Sequence, residues 1–336
     1  MELITFVLEK SLYPLKQVVS PDSQIYWPYL LSSLCIALLI FSLGFKDSAE
    51  KNMLKYLFPP KVFLHRSAIL DYQNYLPIML AKSFLVIPIT ALLSATAIAN
   101  LVSHALSYLT SISTLFPISH PPLWYHLSFS LFLILAIDFG YFYNHYLRHK
   151  VPLLWEFHKI HHTAEVLTPF TLYRHHPLDY LVQILSVSLC AGTATGIWTF
   201  LFGSQAQVLS LNGVPWLLFA FYLTGNFRHS HIWVAFPNWA SYVLMSPAQH
   251  YIHHANDSRY YDTNYGKILS LWDWMFGTLY IPQGYQELPL GLPDEEDNRF
   301  DTVMSFYFKP FRLAFRRLKA QSGLSLPNQN TGTSES

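Results

Sequence analysis

Between Ser83 and Ile137 the chain carries no aspartate, glutamate, lysine or arginine, and the same holds from Ser23 to Phe45 and from Tyr180 to Phe227. A helix needs about 20 predominantly apolar residues to cross a bilayer, where every backbone polar group must be satisfied internally. The run from 23 to 45 fits one crossing and the other two fit a pair each. Charged residues make up only 12% of the chain and hydrophobic ones 52%, against about 25% charged in an average soluble domain. The expected fold is an all-α integral membrane protein with about four to five transmembrane or re-entrant helices.

The charges that remain are unevenly placed. Lys46, Lys51, Lys55, Lys61, Arg66 and Lys82 crowd the link after the first run, whereas His104 to His120 carries no charge. The positive-inside rule puts the 46–82 link in the cytoplasm. A second span near 77–102 then leaves the cytoplasm and a third near 123–143 returns, delivering "NHYLRHK" to the cytoplasmic surface. The run from 180 to 227 has an uncharged polar middle, "GSQAQVLSLNG", and reads as a hairpin that comes back to the same side. Residues 228–284 are too mixed to span and are expected as helices at or below the interface.

The start, "MELITFVLEKSLYPLKQ", has Glu2, Glu9 and Lys10 where a cleaved signal would place a basic end and an apolar core, so no signal peptide is read there. Cys35 and Cys190 are the only cysteines and both lie in apolar runs, which excludes a disulfide framework or a thiolate metal site. Beyond Pro282 the chain turns acidic, then basic and amphipathic over 309–320, then polar, with the last dozen residues expected to be disordered. Phe311, Phe315 and Leu318 share a helical face there, which suits either an interfacial helix against anionic lipid or a surface helix packed on its own protein. The expected divisions are an N-terminal segment with the first span over 1–57, a central unit over 58–282 and a C-terminal extension over 283–336.

Of the sixteen histidines, twelve fall between His145 and His254 and none of these lies within the charge-free hairpin. The predicted topology gathers them on one face of the membrane as a cytosolic histidine-rich helical cap. His145 and His149 are four apart and share a helical face. "HKIHH" at 158–162 and "HYIHH" at 250–254 each place residues i, i+3 and i+4 on one face, while the adjacent pairs 161/162 and 253/254 diverge by about 100°. Neighbours in such a triplet are therefore expected to reach different metal ions. "RHSH" adds His229 and His231. Ten imidazoles exceed the four or so that one zinc takes, so two ions are expected. Imidazole suits iron, zinc and copper alike, and ligand type alone does not choose. His65, His104, His120 and His126 read as lining or interface residues.

Other chemistries lack their marks. The chain has no H-E-x-x-H, no G-x-S-x-G elbow, no G-x-G-x-x-G fingerprint and no P-loop. Nothing points to a bound nicotinamide or flavin, so electrons for redox chemistry must come from a partner. Nothing points to nucleic acid.

The block "DFGYFYNHYLRHKVPLLWEFHKIHHTAEVLTPFTLYRHHPLD", 138–179, followed by "FRHSHIWV" and "SPAQHYIHHANDSRYYDTNYGKILSLWDWMFGTLYIP", resembles the fatty acid hydroxylase superfamily, also called the sterol desaturase family, of integral-membrane di-iron enzymes. The shared pattern is H-x-x-x-H, eight residues, H-x-x-H-H, then R-x-H-P, and the likeness runs from about Phe58 to Pro282. It implies that His145, His149, His158, His161, His162, His229, His250, His253 and His254 hold two iron ions. His231 stands where many members have Asn, and Asn144 where Arg is common. Asp138, Arg174, His176 and Asp179 match positions flanking the boxes and are implied to support the ligands or to line the substrate mouth. The implied reaction is O2-dependent hydroxylation or desaturation of an aliphatic C–H in a lipid such as a sterol, fatty acyl chain or alkylglycerol. The electrons would come from cytochrome b5 or a ferredoxin with its reductase. No H-P-G-G segment is fused here, so that donor is separate.

Two other readings compete with this one. A membrane acyl-lipid or acyl-CoA desaturase also uses cytosolic histidine boxes, but its first two boxes stand farther apart than the eight residues between His149 and His158. A non-catalytic metal or haem protein would pair single histidines inside neighbouring spans, and the apolar runs offer only His104, His120 and His126 near their outer ends. The membrane implied is a bacterial inner membrane or the endoplasmic reticulum, with the boxes facing the cytoplasm.

Overall fold

The computed structural model describes residues 2–43, 51–295, 297 and 299–322. Lys46 and the polar tail expected to be disordered lie outside these residues. Among the described residues the fold is all-α apart from one two-residue ladder and two isolated β-bridges. Helix α1 (Glu2–Ser11) leads to α2 (Trp27–Ser42). Helix α3 (Arg66–Ala81) runs through a π-helical turn, Lys82–Val86, into Ile87–Ala91, and after a short break α4 (Ala95–Thr110) follows. Then come α5 (Leu123–Lys150), α6 (Pro152–His162), α7 (Pro177–Phe202), α8 (Trp216–Gly225), α9 (Pro247–His253), α10 (Leu271–Phe276) and α11 (Val303–Gln321).

Among the described residues, three helical stretches are long and apolar enough to cross a membrane: Arg66–Thr110, α5 and α7. The four to five transmembrane or re-entrant helices expected would include two shorter apolar helices besides these. The first apolar run yields α2, whose 16 residues rise about 24 Å, and the return limb of the 180–227 run yields only the ten residues of α8. Both fall short of a hydrocarbon core of about 30 Å. The return limb is short because residues 203–215 are not helical. They end in a hairpin, β1 (Ser210–Leu211) against β2 (Val214–Pro215), turning on Asn212 and Gly213 at φ 51° and 80°. Both φ values are the left-handed ones that a two-residue Asn-Gly turn demands. The loop is tied to α5, where the Gln207 amide donates to His126 Nδ1 at 3.1 Å and the Leu209 amide to Ser130 Oγ at 2.8 Å.

The membrane helices pack through small residues. Gly192 and Gly196 of α7 face α4 so closely that a Cβ on either would come within 2.6 Å of the Ala95 carbonyl or 2.7 Å of the Ala99 carbonyl. Backbones that approach this far gain van der Waals contact where lipid supplies no hydrophobic drive. α5 packs on the other side of α7.

The α5–α6 corner sets up the site. The Val151 amide closes the last turn of α5 on the Leu147 carbonyl at 2.8 Å, and Pro152, which has no N–H, opens α6 at its first position. The end of α5 and all of α6 thus fold against one another. Residues 228–284 form short helices and loops rather than extended interfacial helices. α11 packs on α6 with Phe306 and Leu313 around Ile160, and Arg317 forms an ion pair with Glu156. Phe311, Phe315 and Leu318 lie on its exposed side.

Candidate metal centre

Four segments deliver nine histidines to one buried volume. α5 carries His145 and His149, α6 carries His158, His161 and His162, a 3-10 turn at Asn226–His229 carries His229, and α9 with its C-terminal cap carries His250, His253 and His254. The start of α9 is fixed by a capping box: the Gln249 amide donates to Ser246 Oγ at 3.3 Å and the Ser246 amide to Gln249 Oε1 at 2.8 Å, with Pro247 at the first helical position.

The rings sort into two sets. His145, His149, His158 and His162 converge with ligand nitrogens within 4.8 Å of one another, and so do His161, His229, His250 and His254. His253 joins the first set, its Nε2 3.1 Å from that of His145 and its ring 4.8 Å from those of His149 and His162. The adjacent rings of His161 and His162 stand at 88° and those of His253 and His254 at 85°. Each pair is split between the sets.

The nitrogens are prepared for a cation. His145 Nδ1 donates to the Tyr265 carbonyl at 2.8 Å, His253 Nδ1 to the Thr263 carbonyl at 2.7 Å and His158 Nδ1 to Asp179 Oδ2 at 3.1 Å. In a neutral ring this leaves Nε2 as a bare lone pair. Nε2 of His149, His158 and His162 is buried with no hydrogen-bond partner. In the second set Nε2 of His229 lies 3.2 Å from that of His161 and 3.1 Å from that of His250, which lies 3.2 Å from that of His254. Two nitrogens bound at about 2.1 Å to one ion and at right angles are about 3.0 Å apart, so the spacing fits imidazoles sharing a metal. His250 differs from the rest. Arg228 Nη2, which can only donate, lies 2.7 Å from its Nδ1 and so directs the neutral ring's proton to Nε2. A metal at His250 must displace that proton.

Burial keeps these rings uncharged. It holds His158 down to about 4 and His253 to about 3, and it presses His161, His162, His229, His250 and His254 well below the usual histidine value. Neighbouring histidines add to the depression at His161, His162 and His254, as does Arg228 at His229 and His250.

The remaining candidates fall elsewhere. His231 is not brought to either set: its Nε2 donates to the Tyr56 carbonyl at 2.8 Å and its ring lies among Tyr56 and Phe63. Asp179 sits against the centre and accepts from His158, from Arg148 Nη1 at 2.9 Å and from His175 Nδ1 at 2.5 Å. Asp138 accepts from the amides of Ile268 and Leu269 and from Trp272 Nε1, which pins the loop after α9 to α5. His176 caps α7, accepting from the Leu178 amide at 3.0 Å, and donates to the Tyr307 carbonyl at 3.2 Å. Arg174 is 1% exposed and is engaged by Asp71, Thr163 and Ser67. His104 and His120 are exposed at the surface.

Two residues that the sequence reading passed over belong beside the centre. His175 stacks on His161 with ring centroids 4.4 Å apart and planes at 14° while its Nδ1 faces Asp179. It occupies the open position of R-x-H-P, so the motif drew attention to His176 instead. Arg228 precedes His229 and fastens the Gly266 and Lys267 carbonyls as well as His250; only the charge within an otherwise apolar approach to "RHSH" could have flagged it.

Two cavities meet the histidines. One of about 380 Å³ opens on His145, His158, His161, His229 and His250 and extends between α5 and α7 past Tyr141, Ile184 and Val187. The other, about 480 Å³, reaches His149, His162, His253 and His254 past Trp155, Asp262 and Arg316.

Comparison with known proteins gives a consistent result. Residues 130–278 match the fatty acid hydroxylase family, a segment that contains all nine clustered histidines. The chain is 26% identical over 149 residues to alkylglycerol monooxygenase of Xenopus tropicalis, covering 44% of this chain and 30% of that protein. It is 30% identical to Delta(7)-sterol 5(6)-desaturase erg3B of Aspergillus fumigatus over 50% of this chain and 44% of that one. It is 27% identical to ornithine lipid hydroxylase OlsE of Rhizobium tropici over 54% and 55% respectively. The chain thus spans only about a third to about half of the length of these relatives. No solved structure matches it.

Proposed function

We propose, from the premise that this chain belongs to the fatty acid hydroxylase superfamily, which includes the sterol desaturases, that it is a membrane-bound di-iron oxygenase acting on an aliphatic C–H of a lipid. One observation carries the reading: two sets of four imidazoles converge from separate segments, the ligand nitrogens of each set within 4.8 Å of one another. Zinc or copper would also accept imidazole. The relatives' names favour oxygen chemistry, since they are a monooxygenase, a desaturase and a hydroxylase.

Two iron ions held by His145, His149, His158, His162 and His253 on one side and His161, His229, His250 and His254 on the other would supply the reductive activation of O2. The balance for hydroxylation is one C–H, O2, two electrons and two protons giving a C–OH and water; for desaturation it is two adjacent C–H bonds, O2, two electrons and two protons giving an alkene and two waters. The chain's own residues do the rest. Asp179 takes the His158 Nδ1 proton in a hydrogen bond, and the Tyr265 and Thr263 carbonyls do the same for His145 and His253, so each ring is held in the tautomer and direction that a ligand needs. The cavity between α5 and α7 admits an apolar chain to His145 and His161 from the membrane side and keeps bulk water from the reacting carbon. The second cavity, with Trp155 5.0 Å from His149 by ring centroids, is the approach for a separate donor such as cytochrome b5 or a ferredoxin and its reductase. The basic residues of the 46–82 link support a cytoplasmic orientation for this face.

Expression of the protein in a host with a defined lipid content, followed by mass spectrometry of lipid extracts, tests the reading. A gain of one oxygen or loss of two hydrogens in a lipid class, dependent on O2 and abolished in His161→Ala, is expected. Purified iron-loaded protein holding one ion per chain, or showing a haem absorption band, would overturn it.

A further inference from the structure

We propose that the cavity beside the histidines receives a lipid with an anionic head group, a phosphate ester or free carboxylate close to the carbon that reacts, and that Lys82 and Lys267 bind that group. The inference rests on the reading above for its lipid, and it adds the charge.

An aliphatic chain needs only apolar walls, but this cavity also presents two lysines, Lys82 and Lys267, beside the side of the histidines it exposes. Among the described residues neither lysine has a carboxylate within 4 Å. The one carboxylate lining the cavity, Asp22, is exposed at its rim and accepts from Ser20 Oγ at 2.5 Å. The arginines there are engaged already, Arg148 with Asp179 and Arg228 with the Gly266 and Lys267 carbonyls and with His250. Lys267 feels the buried Asp138 carboxylate, but that carboxylate is committed to the Ile268 and Leu269 amides and Trp272. Cations without a direct ion pair at the edge of a bilayer are costly, and an incoming anion would answer them.

Both lysines are placed rather than loose. Lys82 opens the π-helical turn Lys82–Val86, an interruption that re-aims a side chain and recurs at functional sites. Its Nζ stands 5.2 Å from the Tyr180 ring centroid. Lys267 lies on the loop that Arg228 and Asp138 fasten, and its Nζ stands 3.5 Å from the Tyr141 centroid and 5.9 Å from that of Tyr222. An ammonium over aromatic faces is held by the ring quadrupole, which leaves its N–H groups available to an incoming oxyanion. Since Tyr141 is one helical turn from His145 on α5, an anion at Lys267 holds only the first few carbons beyond it near the centre.

The test uses the full chain purified in an uncharged detergent, both iron-loaded and metal-free, with binding read by native mass spectrometry. Dioleoylphosphatidic acid, dioleoylglycerol and inorganic phosphate are the probes. Phosphatidic acid is expected to bind about tenfold or more tighter than dioleoylglycerol, as a charge-assisted contact warrants, and inorganic phosphate is expected not to displace it at equal concentration. In the Lys82→Gln/Lys267→Gln variant the two lipids should bind within about twofold of each other, while Lys319→Gln on α11 keeps the preference. Should the double variant lose its helical circular dichroism, each single variant is expected to lose part of the preference. Equal binding of the two lipids by the unaltered protein, a preference that survives in the lysine variants, or displacement by inorganic phosphate overturns the proposal. Because binding is read without iron as well, its failure is separate from a failure to find an oxidised product.

Discussion

His145 and His253 meet nitrogen to nitrogen, Nε2 to Nε2 at 3.1 Å, while each gives its Nδ1 proton to a backbone carbonyl, that of Tyr265 and that of Thr263. Two lone pairs that face each other at hydrogen-bond distance with no proton between them repel, and only a shared cation turns that contact into a favourable one.

Removing one ring from each set should therefore remove metals separately. His253→Ala is expected to lower the iron content of the purified protein from about two ions per chain toward one, and His254→Ala to do the same, with the double variant retaining neither. His231→Ala is expected to leave the content unchanged, because that ring is turned to the Tyr56 carbonyl. Elemental analysis against protein concentration decides it, and loss of iron in His231→Ala would refute the assignment.

Asp179 is the hub beside the first set, accepting from Arg148, His158 and His175 at once. Asp179→Asn leaves the Arg148 guanidinium buried without its counter-charge, which costs about 3 to 5 kcal/mol, and frees His158 to take the other tautomer. The expected result is a lowered unfolding temperature together with a metal affinity about 10 to 100 times weaker. His175→Phe keeps a ring to stack on His161 and should lose less of both.

How far the sequence could foresee this site depends on what each residue answers to. The H-x-x-H-H spacing encodes its own geometry, since the roughly 100° between neighbours on a helix forces His161 and His162 apart, and the rings do stand at 88°. The charge-free runs located α5, α7 and the Arg66–Thr110 stretch. They did not reveal that α8 would stop at ten residues, because the hairpin at Asn212-Gly213 and its ties to His126 and Ser130 are long-range. His175 and Arg228 were illegible for the same reason: what makes each matter is a partner, Asp179 or His250, that only folding brings near.

Acid should weaken the metal-free fold. Burial holds His158 near 4 and His253 near 3, whereas both would titrate near 6.5 in the unfolded chain. Below 6.5 the unfolded chain takes up protons that the folded one refuses, so stability that is full above that pH is lost as the pH falls toward 4 and 3. His158 alone accounts for roughly 3 kcal/mol of the loss. Denaturation midpoints of metal-free protein measured from pH 7.5 down to 4.5 should be flat at first and then fall; a midpoint that held steady to pH 4.5 would show that these rings are not neutral in the fold.

Arg174 and Asp71 offer the sharpest distinction between supporting the site and lining its mouth. Arg174 is 1% exposed; its Nε donates to Asp71 Oδ1 at 2.5 Å, Nη1 to Thr163 Oγ1 at 3.0 Å and Nη2 to the Ser67 carbonyl and hydroxyl at 2.6 and 2.8 Å. These bonds strap the segment after α6 to the start of α3, and His175 and His176 follow directly in the chain. A guanidinium can serve these directions together and an ammonium cannot. Arg174→Lys is therefore expected to lower the unfolding temperature, and Asp71→Asn to cost about 3 to 5 kcal/mol by leaving a buried cation unpaired. In Arg174→Met/Asp71→Leu, where both charges are gone, much of that loss should be recovered. An arginine that bound substrate would behave otherwise: Arg174→Lys would raise KM at unchanged stability, and the double variant would recover nothing.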